Sequence, residues 1–272
     1  MEKTSIAIME AGGRRMSRAL ACFFLFLLSV AGGLAWGLPE KFYADVKVSG
    51  YPMKNLPIWF RVVDSQSVEV TYPSAFDYNS YATRQLHVFV PDSVSYEGIT
   101  YAVVGVGDYA FTGKDGGTFI GDAIREITLP STVTYIGDYA FQRCTYLEEV
   151  NMSENIETIG KGIFNDCWAL KKLCLPEGYT QIPAGMYAGC HGLGKTLTIP
   201  EGIVSIGELA FWFCDFEQVS FPSSLKQIGA RAFSGCANLT ALDLPSSLEQ
   251  IGARAFGGCT GLTSLEFPAS LK

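Results

Sequence analysis

The chain has 272 residues, of which 48% are hydrophobic and 17% charged, and its formal net charge is −7. That balance can build a buried core and excludes a disordered chain; the acidity argues against nucleic acid as a partner, since phosphate backbones would be repelled. With 29 Gly and 12 Pro, many short elements joined by turns are expected in place of a few long helices.

Residues 1–35 carry the pattern of a secretory signal peptide. Arg14, Arg15 and Arg18 precede the apolar run from Ala19 to Val30, and Gly33 and Ala35 suit cleavage before Trp36. Met16 is an equally suitable start for that signal. The run is shorter than the ~20 residues a bilayer-spanning helix needs, and no later stretch approaches membrane length. Export by cleavage is therefore expected, giving a secreted or cell-surface protein with no membrane span in the mature chain.

Residues 36–90 show no repeat and are expected to form a β-rich N-terminal cap. Ile58–Val63 and Val68–Tyr72 flank Asp64-Ser65-Gln66-Ser67, the layout of a β-hairpin. Such a segment would cover a sheet edge that otherwise invites pairing.

Residues 91–272 are periodic. Cys144, Cys167, Cys190, Cys214, Cys236 and Cys259 recur every 22 to 24 residues, and Phe141, Phe164, Tyr187, Phe211, Phe233 and Phe256 keep step three positions earlier. Val106–Phe111 echoes Ile136–Phe141 with extra residues in the loop Gly113–Ala123, and a hairpin insertion is expected around Ser95–Ile99. Within one unit, Leu239, Leu242 and Leu244 have the spacing of a strand that Pro245 ends. Leu248 and Ile251 enter a second short extended segment, Gly252 turns the chain, and Ala255 and Phe256 are expected to face inward from a helical or 3₁₀ turn. One unit cannot bury these side chains alone; stacking units ~4.8 Å apart does so. The chain stops at Lys272 inside a new unit, so the sequence is expected to be a fragment or to present an uncapped C-terminal edge open to self-association.

The unit Leu-Pro-x-x-Val/Leu-x-x-Ile-Gly-x-x-Ala-Phe-x-x-Cys-x-x-Leu resembles the BspA-type leucine-rich repeat over residues 86–272. The resemblance implies a leucine-rich-repeat solenoid, α/β-type and mostly β with short helical turns. It also implies an exported surface protein of anaerobic bacteria that acts in adhesion, with a protein or glycoprotein ligand such as host matrix. The chain departs from the pattern at Ser153 (for Pro), Pro183 (for Gly) and Tyr187 (for Phe).

Few side chains suggest chemistry. The six cysteines form one structural column; adjacent repeats could bring them within disulfide range, but stacked equivalents point in parallel, which favours unpaired buried thiols. His87 and His191 are the only histidines, and no CxxC pair occurs, so no zinc site is expected. Cys174 falls at the solvent-facing strand position shared by Thr128, Asn151, Thr198, Ser220, Asp243 and Glu266, which makes it a candidate reactive thiol. Gly105-Val106-Gly107-Asp108-Tyr109-Ala110 matches a nucleotide-binding glycine pattern, but those residues belong to the repeat. The loop Gly113–Asp122 holds two carboxylates and lacks a calcium-ligand pattern. No nucleophile elbow or paired carboxylates are present, so no catalytic residue, metal or cofactor is expected and the protein should not be an enzyme.

Exposed aromatics are the positive signal. Trp212 and Phe213 stand where other repeats have Gln142 and Arg143 or Ser234 and Gly235; Leu209 replaces Tyr139, Gly162 and Arg231; and Trp168 follows its Cys at a variable position. Large apolar groups on a rigid edge make interface anchors; the alternative is that the irregular spacings around Cys214 repack them inward. A structural spacer or self-assembly element, and a surface carbohydrate-binding protein whose exposed Trp and Tyr stack on sugar faces, are the alternative functions.

Overall fold

In the computed structural model, which describes residues 41–49, 55–71, 86–111 and 123–272, most repeats add one strand to each of two parallel columns. Residues 1–35, where a signal peptide is expected, the loop Gly113–Asp122 and most of the segment between the early strands lie outside the described residues.

The first column collects the segments before the Ile-Gly step. It begins with β3 (Ser67–Thr71), β6 (Ile99–Val106), β8 (Tyr135–Ile136) and β10 (Thr158–Ile159), and resumes with β11 (Gln181–Ile182), β13 (Ser205–Ile206), β15 (Gln227–Ile228) and β17 (Gln250–Ile251). The second collects the segments that end near the Pro. It holds β4 (Leu86–Phe89), β7 (Ile124–Thr128) and β9 (Glu149–Asn151), then β12 (Thr196–Thr198), β14 (Gln218–Ser220) and β16 (Ala241–Asp243). Register follows the repeat: Ile206 pairs with Ile228 and Ile228 with Ile251, while Val219 pairs with Leu242. Strand alternation sorts the side chains: Val219 is buried while Gln218 and Ser220 face out.

At the N-terminal side, β1 (Lys41–Ser49) pairs antiparallel with β2 (Asn55–Val62) and, through Val48 and Ser49, with β4. β2 and β3 form an antiparallel hairpin, and β3 pairs in parallel with β6. One long strand thus joins the beginnings of both columns. β5 (Ser93–Tyr96) folds back on β6 through Glu97 and Gly98, whose φ of 50° and 81° give the left-handed pair that a two-residue hairpin turn requires.

Of the helical and 3₁₀ turns the sequence left open, the segments carrying Ala-Phe and Cys take the 3₁₀-like form without closing into a helix. They are runs of i→i+3 turns, as in Gln142 N–H to Tyr139 C=O and Cys144 N–H to Phe141 C=O. The reason lies in two left-handed residues per repeat. One column is Tyr109, Tyr139, Gly162, Gly185, Leu209, Arg231 and Arg254; the other is Arg143, Asp166, Gly189, Phe213, Gly235 and Gly258. An α-helix cannot contain such residues, but they turn N–H groups along the solenoid axis. From Tyr109 to Gly235, these residues and the aromatics between them donate to carbonyls of the next repeat at 2.7–3.0 Å. This is a third hydrogen-bonded column, and it satisfies backbone groups that a buried turn would otherwise leave unpaired.

The core runs along the axis. Phe111, Phe141, Phe164, Tyr187, Phe211, Phe233 and Phe256 stack with successive centroids 5.1–5.7 Å apart, a spacing suited to offset aromatic pairs. Beside them each thiol from Cys167 onward, Cys174 apart, donates to the carbonyl of an aromatic in the preceding repeat at 3.1–3.3 Å.

Both strand columns are interrupted at one level. Gly160, Gly207, Gly229 and Gly252 each donate to the Ile carbonyl one repeat earlier; Pro183 stands at the equivalent place without an N–H. A Cβ at Gly207 or Gly229 would lie 2.6 Å from backbone nitrogen of the previous repeat, so Pro183 is also too bulky for the close approach. Hence β11 does not pair with β10. In the other column Leu173-Cys174-Leu175 is not a strand, and β9 and β12 are not joined. The turn column and the aromatic stack continue through this level unbroken.

Candidate interaction surface

Leu209, Trp212 and Phe213 come from one turn, in which Trp212 N–H donates to Leu209 C=O at 3.1 Å. Phe213 is 53% exposed and Trp212 40%, with their rings edge to face at 4.6 Å; Leu209 is partly covered. The irregular spacings that could have drawn them inward are absorbed elsewhere. An additional residue lies between Leu193 and Leu197, beside the 3₁₀ turn His191–Leu193, and a missing one is compensated by Phe216, which replaces a Leu in the core and packs edge-on against Phe211 at 5.8 Å.

The backbone fixes these side chains. Leu209 has φ 57° and Phe213 φ 54°, and their N–H groups donate to Ala230 and Ser234 of the next repeat, each at 3.0 Å. The Phe213 ring lies flat over Gly235, where a Cβ would come within 3.1 Å of three ring atoms. The aromatic residue and the glycine beneath it therefore act as a pair. A side chain held in this way loses little conformational entropy on binding.

Trp168, 56% exposed, lies two repeats nearer the N-terminus, in the column that continues with His191 and Asp215. Stacking at ~4.8 Å per repeat puts it roughly 10 Å along the axis from the Trp212 turn. His191 Nδ1 and Asp215 Oδ2 pair at 3.0 Å between these levels. Tyr146, 53% exposed and one repeat earlier again, extends the row. Sequence reasoning missed it, although its counterparts Ala169, Gly192 and Asn238 are small or polar and would have marked it as exposed.

The six column cysteines are buried free thiols. Burial pushes Cys236 up to about 12 and Cys214 well above the ordinary value. The expectation that Cys174 is a surface thiol is corrected, for it is only 3% exposed. The cause is Tyr187. Its hydroxyl, buried where other repeats carry Phe, donates to the Cys174 carbonyl at 3.0 Å. Turning that carbonyl inward takes the segment out of strand alternation and turns the side chain in. Burial raises the Cys174 thiol to about 11, which makes it a poor nucleophile.

Among the described residues no group of His, Cys, Asp and Glu is arranged to hold a metal ion. Elsewhere the outward faces carry inter-repeat ion pairs, among them Arg125–Glu148–Lys171 and Lys172–Glu149, with separate exposed apolar side chains such as Tyr43 and Phe267.

The sequence matches the BspA type leucine-rich repeat region in six copies, over residues 115–240 and 194–272. The chain belongs to the BspA-type leucine-rich-repeat family. Among solved structures it is similar to a leucine-rich repeat protein from Bacteroides ovatus at 32% identity, covering 88% of this chain and 54% of that one, with a TM-score of 0.64. It is also similar to the leucine-rich repeat protein of T. pallidum (25%, covering 75% and 86%, TM-score 0.57) and to a leucine-rich cell surface protein from Faecalibacterium prausnitzii (25%, covering 79% and 54%, TM-score 0.54). The chain spans about half the length of the B. ovatus and F. prausnitzii proteins. No curated protein matches it. Leucine-rich-repeat proteins are typically binding proteins without enzymatic activity, and in this BspA-type chain no helix among the described residues is long and apolar enough to cross a membrane.

Proposed function

We propose that this BspA-type protein is an exported adhesion or recognition module that binds a protein or glycoprotein through its turn edge. Leu209, Trp212 and Phe213 anchor the contact, and Trp168 and Tyr146 extend it along the axis. The supporting observation is the backbone of the anchor turn. Leu209 and Phe213 occupy left-handed positions that Gly fills in some repeats and Tyr, Arg or Asp in others, at a cost of ~1–2 kcal/mol per residue. Core packing does not compensate for an exposed ring; contact with a partner does. Export rests on the signal-like residues 14–35 and on the likeness to a protein described as a leucine-rich cell surface protein.

The test is binding of the purified chain to an array of matrix glycoproteins, plasma proteins and glycans, repeated with Trp212→Ser/Phe213→Ser. The expected outcome is a saturable protein ligand that the double variant no longer retains, with thermal stability unchanged. Phe213→Gly should melt no lower than the parent, because it relieves the left-handed strain. Loss of more than ~1 kcal/mol of stability in either variant would place these side chains in the core and end this reading.

A further inference from the structure

A second site lies at the other end of the first strand column, away from the turn that carries Trp212. Arg61, Glu69, Thr71, Asp108, Tyr109, Asp138, Tyr139 and Lys161 line a cleft of about 340 Å³ beyond the C-terminal ends of β3, β6, β8 and β10. Its floor is Glu69, whose side chain is only 4% exposed; the carboxylate accepts from Tyr135 Oη at 2.5 Å, faces the Arg61 guanidinium, and lies over Gly107, where a Cβ would stand 2.5 Å from Oε1.

Along the cleft, Asp108 Oδ1 accepts from Asp138 N–H at 2.7 Å, and Asp138 Oδ1 accepts from Lys161 N–H at 3.0 Å. The second oxygen of Asp138 faces Lys161 Nζ at 3.7 Å, and that of Asp108 has no hydrogen-bond partner among the described residues. Tyr109 and Tyr139 stack at 5.2 Å with planes 19° apart, and the far face of Tyr139 lies over Gly162. Among the described residues Tyr109 is the last ring of the stack. Both tyrosines sit at left-handed positions, φ 56° and 55°, where Gly162 and Gly185 stand in the next two repeats.

We propose that this cleft binds a neutral saccharide unit, with a sugar face on Tyr109 and ring hydroxyls shared among Asp108, Glu69 and Arg61. The charges select the ligand. Cations stand at the two ends, Arg61 and Lys161, with three carboxylates between. An anion would meet the carboxylates and a polyamine would meet the fixed cations. A polyol donates to one set and accepts from the other, since every hydroxyl does both. The tyrosine supplies the apolar body that a sugar C–H face needs. The cleft shares its left-handed column with Leu209, three repeats beyond Tyr139, but includes no residue of the Leu209–Phe213 turn.

The test is saturation-transfer NMR on the full chain with methyl glycosides of glucose, galactose, mannose and N-acetylglucosamine. At least one should receive saturation, and neither sulfate nor putrescine should displace it. Tyr109→Gly should reduce the transfer to baseline while keeping the melting temperature, because Gly already occupies that backbone position in two repeats. Asp108→Asn keeps the acceptor for Asp138 N–H and should weaken binding at least fivefold. Trp212→Ser/Phe213→Ser should leave the transfer intact. No transfer to the folded wild type, undiminished transfer in Tyr109→Gly, displacement by either ion, or loss in the turn-edge variant would each overturn the assignment.

Discussion

At the residue scale, the thiol column is a hydrogen-bonding device. Each Sγ–H from Cys167 onward, Cys174 excepted, spans two repeats by donating to a buried carbonyl, and the packed site disfavours the thiolate. The linkage has a definite sign. Below the ordinary value of 9.0 both folded and unfolded thiols are protonated and the full stability is present; above it the unfolded chain loses protons that the folded chain keeps. Stability should therefore fall as pH rises from 9 toward the folded values, about 11 for Cys174 and about 12 for Cys236. Thermal melts across this range should show a steepening decline, and iodoacetamide should leave the column thiols and Cys174 unlabelled in the folded protein at pH 8. Rapid native labelling of Cys174 would contradict its burial. Its solvent-facing place in the sequence register was legible, but the Tyr187 hydroxyl that turns it inward acts through a contact 13 residues away.

At the element scale, the Ile-Gly step sets how closely repeats approach. A Cβ at Gly229 would stand 2.6 Å from Glu208 N, which is backbone and cannot move aside like a side chain. Gly229→Ala should lose about 1–3 kcal/mol, the usual cost of overpacking, as read from urea denaturation; a change within ~0.5 kcal/mol, usual for uninvolved surface sites, would show that the repeats have slack. The periodicity in the sequence identified the strands and the Ala-Phe turns and left those turns open between helical and 3₁₀. Apolar spacing alone cannot separate a helical turn from consecutive i→i+3 turns. The discriminating signal was the residue classes in the two left-handed columns, where Gly162, Gly185 and Gly189 alternate with Tyr, Arg and Leu. The anchor and cleft tyrosines lie at these same positions.

At the scale of the whole molecule, three parallel columns hold the stack and only one is continuous. Where Pro183 and the Cys174 segment open both strand columns, the turn column and the aromatic stack carry the connection. Hydrogen exchange should show this directly. Amides of residues 172–182 should exchange faster than those of the neighbouring repeats, while Gly185, Tyr187 and Gly189, which donate to Glu208, Ala210 and Trp212, stay protected. Equal protection throughout would show that the break has no energetic consequence. Pro183→Gly, which restores both the N–H and the close approach, should slow exchange in this segment.

The sequence by itself determined the repeat, its register, the buried column of aromatics and thiols, and the family, because each is a one-dimensional period that stacking converts into contact. It also marked Trp168, Leu209, Trp212 and Phe213 as departures from that period. Tertiary structure alone decided what the period leaves open: which way a side chain turns when one repeat is a residue short, which ring covers which glycine, and that Arg61, Glu69, Asp108, Asp138 and Lys161 meet in one cleft. Those residues come from two antiparallel strands of the N-terminal segment and three different repeats, joined by successive strand pairings from β2 to β10. No local pattern encodes such a meeting; it exists only once the strands are in register.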